Sequence, residues 1–177
     1  MSTDDPSGIL EHHTLLNDLA DEFLRNSARW FPALHESTHT AVVHFALGLG
    51  GEVGELLECN GTDPDEVADV VTYAMDMARI LGGDLSAAYD ALPDQVGNTP
   101  REIAIAAGLA INLVKKYNRG DYDQDHIAPL VAHHVAMVIA ISRNLVGDLL
   151  GALDAKRTIC EARWGRPADA SEPEVGQ

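Results

Sequence analysis

The sequence predicts an all-α protein, folded as an antiparallel helical bundle. Apolar residues recur at three- and four-residue spacing along most of the chain, and no stretch alternates with the two-residue period of a half-buried strand. Start and stop signals of helices separate the periodic segments. The chain has 177 residues, 46% of them hydrophobic, which suffices for one compact unit or two small fused repeats.

The first 37 residues are predicted to form a helix at 10–28 and a loop. Pro32 and the Ser-Thr pair at 37–38 indicate a loop that runs into the start of a second helix. That helix is predicted for 38–57, where Asn60-Gly61 stops it.

The third helix begins at the sequence DPDE, residues 63–66. Asp63 suits the N-cap, Pro64 the first helical position, and Glu66 the return hydrogen bond of a capping box. The glycine pair at 82–83 ends this helix. A short helical turn is predicted for 84–92.

A second start signal, Thr99-Pro100-Arg101-Glu102, opens a fourth helix that ends near Gly120. Two more helices are predicted for 127–146 and 148–163. The polar, proline-containing tail at 165–177 is predicted to be disordered.

The formal charge of -16 and pI of about 4.6 argue against a nucleic-acid polymer as partner. The acidic start lacks the features of a secretion signal, and we expect no apolar run that approaches a membrane span. These observations predict a cytoplasmic protein without membrane contact. Cys59 and Cys160 are predicted to be reduced thiols, since no Cys or His stands near them at zinc-finger spacing.

Four carboxylates form the main candidate site. Glu52 and Glu55 leave one face of the second helix about one turn apart, and Glu66 and Asp69 share that spacing near the start of the third. The short connection makes the two helices antiparallel neighbours, so the four groups converge. Mg²⁺ prefers oxygen ligands and often shares its coordination with substrate phosphates. The alternative is a solvated acidic face on two surface helices.

Other residues lie on the same helix faces as the carboxylates. Tyr73 and Asp76 continue the face of Glu66 and Asp69 on the third helix, and His44 precedes Glu52 at helical spacing on the second. Four glycines of the second helix, Gly48, Gly50, Gly51 and Gly54, each cost about 1 kcal/mol relative to alanine. We therefore expect a packed helix or a ligand close to this backbone.

The motifs HFALGLGGEVGELLE at 44–58 and EVADVVTYAMDMARILGGDL at 66–85 resemble the MazG-like all-α nucleoside triphosphate pyrophosphohydrolases. That superfamily, which includes dCTP pyrophosphatases and dimeric dUTPases, carries ExxE, a helix break and then ExxD. The similarity covers roughly residues 30–92. It implies that the four carboxylates bind Mg²⁺, with Mn²⁺ as a substitute, and help water to attack the α–β phosphate linkage. The products would be a (d)NMP and pyrophosphate.

The resemblance also implies where a nucleoside triphosphate would lie. Tyr73 matches the family tyrosine near the sugar or base, and His44 and Trp30 would border the nucleoside; Asp76 belongs to the same substrate-binding set. The segment 87–93 lacks the cation that family members usually place there. The candidates to replace it are Lys115, Lys116 and Arg119, or Lys156 and Arg157, of which the three lysines are assigned to substrate binding. A homo-oligomer is expected, with a dimer favoured.

Residues 50–92 resemble 107–153 weakly, which predicts a motif-bearing repeat at 38–92 and a degenerate repeat at 99–164 that packs on it. In the second copy the four carboxylates are replaced by Leu109, Asn112, Leu130 and His133. A coincidence of two amphipathic hairpins is the alternative.

Two rival functions remain open. His35-Glu36-Ser37-Thr38-His39 matches HExxH, which on a helix supplies two zinc ligands and the general base of a metallopeptidase. Glu55, Glu58 or Glu66 would have to serve as the third ligand. The other rival is a helical assembly module without catalytic activity.

Overall fold

A computed structural model describes residues 7–165, with side chains described from residue 16 onward. Over this part of the chain the protein is all-α, 81% helical without strands, as the sequence predicted. The tail predicted to be disordered lies outside the described residues, apart from Gly165.

Every predicted helix is present, with ends that differ from the expected ones by a few residues. The elements are α1 (Ser7–Trp30), a 3₁₀ turn (Pro32–His35), α2 (Thr38–Glu58), α3 (Pro64–Ile80), α4 (Leu85–Asp90), α5 (Pro100–Asn118), α6 (Gln124–Val146) and α7 (Leu149–Trp164).

Local chemistry sets the ends of the two helices that carry the carboxylates. The Ser37 side chain caps α2 by accepting a hydrogen bond from the Thr40 N–H. Asn60 and Gly61 then adopt left-handed φ angles of 54° and 69°, which end α2 and turn the chain back. At α3 the Asp63 side chain accepts from the Asp65 N–H. The two helices are thus joined by a tight, fully capped connection.

The two predicted capping boxes differ in outcome. At α5 the box is complete, because Thr99 accepts from the Glu102 N–H while the Glu102 carboxylate accepts from the Thr99 N–H. At α3 the predicted return from Glu66 is not seen, and Glu66 Oε2 is buried without a hydrogen-bond partner. The Glu66 side chain therefore does not take part in capping α3.

The helices share one continuous apolar core. Helix α2 packs on α3 and α5, and α6 packs on α5 and α3. The helices α2–α4 form the first half of this body and α5–α7 the second. The third helix of each half packs on the second helix of the other half, so α4 lies against α6 and α7 lies against α3. A duplication predicts this exchange, but the duplication itself stays a prediction. The consequence for the site is that α7 reaches the carboxylate-bearing hairpin.

Helix α1 also packs on α3. Arg79 of α3 binds Asp21 of α1 with two hydrogen bonds, Nε to Oδ1 at 2.7 Å and Nη2 to Oδ2 at 3.0 Å. Asn17 accepts a hydrogen bond from the Leu85 N–H at the start of α4. These contacts hold the end of α1, with Trp30, beside the site.

Two helices correct one expectation from the sequence. By length and composition alone, α2 and α6 could cross a membrane, so the expectation that no apolar run approaches this length was wrong. Core helices of soluble proteins pass the same test, and half of the most apolar window of α6 is buried inside the protein. The cytoplasmic location stays a prediction.

The glycines of α2 separate into different roles. A Cβ on Gly48 would lie 2.1 Å from Cε1 of Tyr73, so the tyrosine ring packs directly on the backbone of α2. A Cβ on Gly51 or Gly54 would have no atom within 4 Å. The sequence predicted either a packed helix or a ligand near this backbone, and packing of Tyr73 from α3 explains Gly48 but neither Gly51 nor Gly54.

We expect Gly48→Ala to lower the free energy of unfolding by about 1–3 kcal/mol, because the rigid ring of Tyr73 must move to admit the methyl group. Gly51→Ala is the matched control on the same helix, and it should raise stability by about 1 kcal/mol through helix propensity. Urea denaturation of both variants measures the effect. A Gly48→Ala protein as stable as wild type would show that Tyr73 does not pack there.

Candidate active site

Three carboxylates meet where α2 turns into α3. One oxygen each of Glu52, Glu55 and Glu66 lies within 4.8 Å of the others. Glu52 and Glu66 are half-buried and Glu55 is exposed. The i, i+3 spacing on α2 places the first two on one face, and the capped connection brings the start of α3 against them.

The fourth predicted carboxylate has a different partner. Asp69, one turn along α3 from Glu66, accepts a hydrogen bond from Lys156 of α7, with 2.5 Å between Nζ and Oδ2. Both side chains are mostly buried, exposed by 22% for Lys156 and 18% for Asp69. The second half of the chain thus places a cation beside the carboxylates of the first half.

Burial and mutual repulsion raise the pKa of the acids. The pKa of Glu52 rises to about 7, first through burial and then through the charges of Asp69, Glu55 and Glu66. Burial likewise raises the pKa of Glu66 and of Asp69, although the ammonium of Lys156 works against this at Asp69. The cluster holds more negative charge than its surroundings stabilise.

Lys156, in contrast to the acids, is stabilised in its charged form. Burial by itself would lower its pKa, but the hydrogen bond and charge of Asp69 outweigh burial and raise the pKa overall. The site therefore presents an ammonium group that a phosphate could approach.

A cavity of about 480 Å³ opens beside Glu52 and Asp69, a volume typical of small-molecule sites. All three phenylalanines and both tryptophans of the chain line it. The lining residues are Phe23, Ser27, Trp30, Phe31, Leu34, His44, Phe45, Glu52, Asp69, Thr72, Tyr73, Asp76, Lys156, Cys160, Arg163 and Trp164.

Aromatic contacts tie the ends of α1 and α7 together over this cavity. The Trp164 ring centroid lies 5.3 Å from that of Phe31, edge on, and 6.1 Å from that of Trp30. In the same wall, the ring centroid of Tyr73 lies 6.4 Å from that of His44 and 6.4 Å from that of Phe45. Flat apolar walls of this kind suit a flat heteroaromatic ring.

Most residues predicted to bind substrate lie together in this cavity. Trp30, His44, Tyr73, Asp76 and Lys156 share its wall with Glu52 and Asp69, while Glu55 and Glu66 stand next to Glu52 outside that wall.

The structure does not bring Lys115 and Lys116 there. They lie in the last turn of α5, where Lys115 is exposed and the Lys116 ammonium sits 5.7 Å above the ring of Tyr122. Helix α5 packs on α2 and α6, so its C-terminal lysines remain away from the α3–α7 contact that forms the cavity.

Sequence reasoning missed several lining residues. Phe31, Phe45, Cys160, Arg163 and Trp164 were not among the candidates, although all line the cavity. One signal could have found them: aromatic residues make up only 5% of the chain, and the tryptophan pair brackets the body of the sequence. Burial raises the pKa of the Cys160 thiol, which makes it an inert lining group rather than a nucleophile.

Two polar atoms of lining residues lack any partner. The indole Nε1 of Trp30 and Oδ1 of Asp76 are buried and form no hydrogen bond. By contrast, Ser27 in the same wall bonds to His35 Nε2 at 3.1 Å, and Thr72 donates to the Ala68 carbonyl at 2.8 Å. Buried polar groups are normally paired, so these two atoms are available to hydrogen-bond with a molecule in the cavity.

The HExxH segment lacks the geometry that its zinc chemistry requires. His35 belongs to the 3₁₀ turn, whereas His39 lies in the first turn of α2, and the extended Ser37 separates the two. His35 bonds to Ser27, while the ring of His39 lies 6.3 Å from that of Tyr117. The two histidines therefore do not share one face of one helix.

The donor set of the three-carboxylate group fits a hard divalent cation. All ligand atoms of the group are carboxylate oxygens, which hard cations prefer. Comparisons of the chain with protein-family models, with curated proteins and with solved structures found no match. The geometry of the site is thus the basis for inferring a function.

The raised pKa of Glu52 predicts a stability profile for the protein without divalent cations. A carboxyl whose folded-state pKa is raised from 4.5 to about 7 adds stability at acidic pH, and this contribution is lost as the pH rises through that range. We expect the melting temperature in EDTA to fall over this interval, and Glu52→Gln to reduce the fall.

His35 and His134, whose pKa values burial lowers, act with the opposite sign in the same interval, but they are present in both proteins. The difference between the wild-type and Glu52→Gln melting curves therefore reports the contribution of Glu52 together with its coupling to Asp69, Glu55 and Glu66. Parallel curves across the whole interval would contradict the raised pKa.

Proposed function

We propose that this chain is a magnesium-dependent nucleoside triphosphate pyrophosphohydrolase, which converts a (d)NTP into a (d)NMP and pyrophosphate. One observation carries the proposal: carboxylates clustered within 4.8 Å stand at the edge of an aromatic cavity of about 480 Å³. The acids suit a metal–phosphate group, and the cavity suits a nucleoside. Membership in the MazG-like superfamily is part of this proposal.

Glu52, Glu55 and Glu66 would hold the cation, with Asp69 completing the set when Lys156 releases it. A bound Mg²⁺ or Mn²⁺ supplies charge neutralisation on the phosphates and a water of lowered pKa. The carboxylates of the chain fix the position of that water and accept its proton. No covalent nucleophile is required, which agrees with the inert, buried setting of Cys160.

Charge explains why a cation is needed. Four carboxylates face a single ammonium group at this place, in a chain whose formal charge is -16, so a bare triphosphate would be repelled. A divalent cation inverts the local electrostatics. Lys156 then changes partner, from the Asp69 carboxylate to a phosphate oxygen, without leaving its position.

The layout favours attack near the sugar rather than at the terminal phosphate. Glu52 and Asp69 line the nucleoside cavity itself, so the acids stand beside the first phosphates of a nucleotide whose base occupies the aromatic end. This arrangement supports cleavage between the α and β phosphates, with pyrophosphate as the leaving group.

The zinc-peptidase alternative gains no support, because Ser37 separates His35 and His39 onto two elements. The alternative of a non-catalytic helical module predicts the same fold without turnover, and an assay decides it.

We expect purified protein with Mg²⁺ or Mn²⁺ to release pyrophosphate, and not orthophosphate, from at least one nucleoside triphosphate. A panel of common ribo- and deoxyribonucleotides, assayed with and without pyrophosphatase in a phosphate-detecting system, separates the two products. Loss of activity in EDTA and its return with Mg²⁺ complete the test. Orthophosphate release, or no turnover of any nucleotide, would refute the proposal.

The same assay tests the proposed ligands. Glu52→Gln, Glu55→Gln, Glu66→Gln and Asp69→Asn should each lower kcat at least about a hundredfold while the protein stays folded, since each removes a metal-facing charge at nearly constant size. Glu58→Gln, an exposed acid at the end of α2, is the matched control. Wild-type rates in all four variants would exclude this site.

Lys156→Met should raise the Michaelis constant about tenfold to a hundredfold, the loss expected when one charge-assisted hydrogen bond to phosphate is removed. Lys115→Met is the matched control, because Lys115 is exposed on α5 and does not line the cavity. Steady-state kinetics of both variants distinguish the two lysines. An unchanged constant in Lys156→Met would show that this lysine serves only the ion pair with Asp69.

A further inference from the structure

Asp76 places a buried carboxyl oxygen without a hydrogen-bond partner in the wall of the cavity. It lies on α3 two turns beyond Asp69, is only 3% exposed, and lines the cavity with the aromatic residues. Its Oδ1 has no hydrogen-bond partner in the protein. A buried carboxyl without a partner destabilises a fold, so its presence in a ligand-sized cavity calls for an explanation.

Its chemistry differs from that of the metal-facing acids. Burial raises the pKa of Asp76 well above its ordinary value, and no neighbouring cation opposes the shift. A carboxyl group that is only 3% exposed and has an oxygen without a hydrogen-bond partner is more stable as the neutral acid, which presents a hydroxyl donor beside a carbonyl acceptor. Trp30 adds a second unpaired group to the same wall, the indole N–H donor.

A neutral acid matches one kind of ring edge best. The amidine edge of cytosine and adenine places a ring-nitrogen acceptor beside an amino donor, so that both atoms pair with the carboxyl group. Uracil and guanine instead offer a carbonyl acceptor beside a ring N–H, and a carbonyl oxygen is a weaker base than the ring nitrogen. An ionised carboxylate, which only accepts, would favour the two N–H donors of guanine.

We propose that Asp76 selects the base, by pairing its carboxyl group with the amidine edge of cytosine or adenine while the aromatic residues of the cavity hold the ring. This inference rests on the proposed function for the assignment of the ligand as a nucleotide. It adds the class of base, which neither the carboxylate cluster nor Lys156 can determine because both act on phosphate.

Binding measurements test the inference without turnover. Both tryptophans of the chain line the cavity, so a bound base changes their fluorescence. Titration of the full chain with CMP, AMP, UMP and GMP in the presence of Mg²⁺ gives four dissociation constants. We expect CMP or AMP to bind about tenfold to a hundredfold more tightly than UMP and GMP, the discrimination typical of one two-point pair. The CMP and AMP arms identify the base.

Two variants of Asp76 distinguish base selection from a structural role. Asp76→Asn keeps a donor beside an acceptor and should preserve the order of affinities, whereas Asp76→Leu should bring the four dissociation constants to within about threefold of one another. Ser142→Ala is the matched control, because Ser142 is another fully buried, unpaired polar residue but does not line the cavity. Thermal melting verifies that each variant is folded.

The inference is overturned if UMP or GMP binds most tightly, if no nucleotide binds, if Asp76→Leu keeps the wild-type order, or if folded Asp76→Asn loses it. Its failure is separable from that of the proposed function. Base-selective binding without pyrophosphate release would refute the enzyme and leave the base site standing. Pyrophosphate release, combined with an order of affinities that Asp76→Leu does not change, would support the enzyme and refute the base site.

Discussion

The repulsion among Glu52, Glu55 and Glu66 is the constraint on which the rest of this site depends. Two like charges 4 Å apart repel by about 1 kcal/mol in bulk water and by about 4 kcal/mol at a dielectric typical of protein surfaces. The protein brings three carboxylates within 4.8 Å of one another, and the pKa of Glu52 rises to about 7 as a result of burial and of the charges of Asp69, Glu55 and Glu66. A solvated acidic face would let such side chains separate. Here the capped connection between α2 and α3 places the helix positions that carry them next to one another.

The second half of the chain supplies what the carboxylate hairpin lacks. The α2–α3 hairpin contains acids but no cation at the site, and Lys156 arrives from α7. The same helix carries Trp164, which closes the aromatic wall against Phe31. If the halves arose by duplication, the copy that lost its acids kept the helix that completes the other copy. The site would then require two different halves, one with the acids and one with the lysine and the tryptophan.

Short-range features of the site could be predicted from the sequence because helix geometry fixes them. The i, i+3 spacing puts Glu52 beside Glu55 in any α-helix, and a short connection makes α2 and α3 neighbours. The contact between Asp69 and Lys156 spans 87 residues and depends on how α7 crosses α3, which no local pattern encodes. Sequence reasoning therefore named Lys156 together with Lys115 and Lys116 and could not rank them. Packing alone separates Lys156 from the other two.

The HExxH segment shows that a local pattern can also suggest a site that the fold does not form. Its spacing matches a zinc motif, yet that spacing has chemical meaning only on a continuous helix, and Ser37 interrupts it by capping α2. Asp76 presents the converse case, since it belongs to no motif beyond its helix face. Its significance comes from its surroundings, where Ser27 and Thr72 are paired and Asp76 Oδ1 is not. This contrast between Asp76 and its paired neighbours in one cavity wall is the observation from which a role in binding is proposed for it.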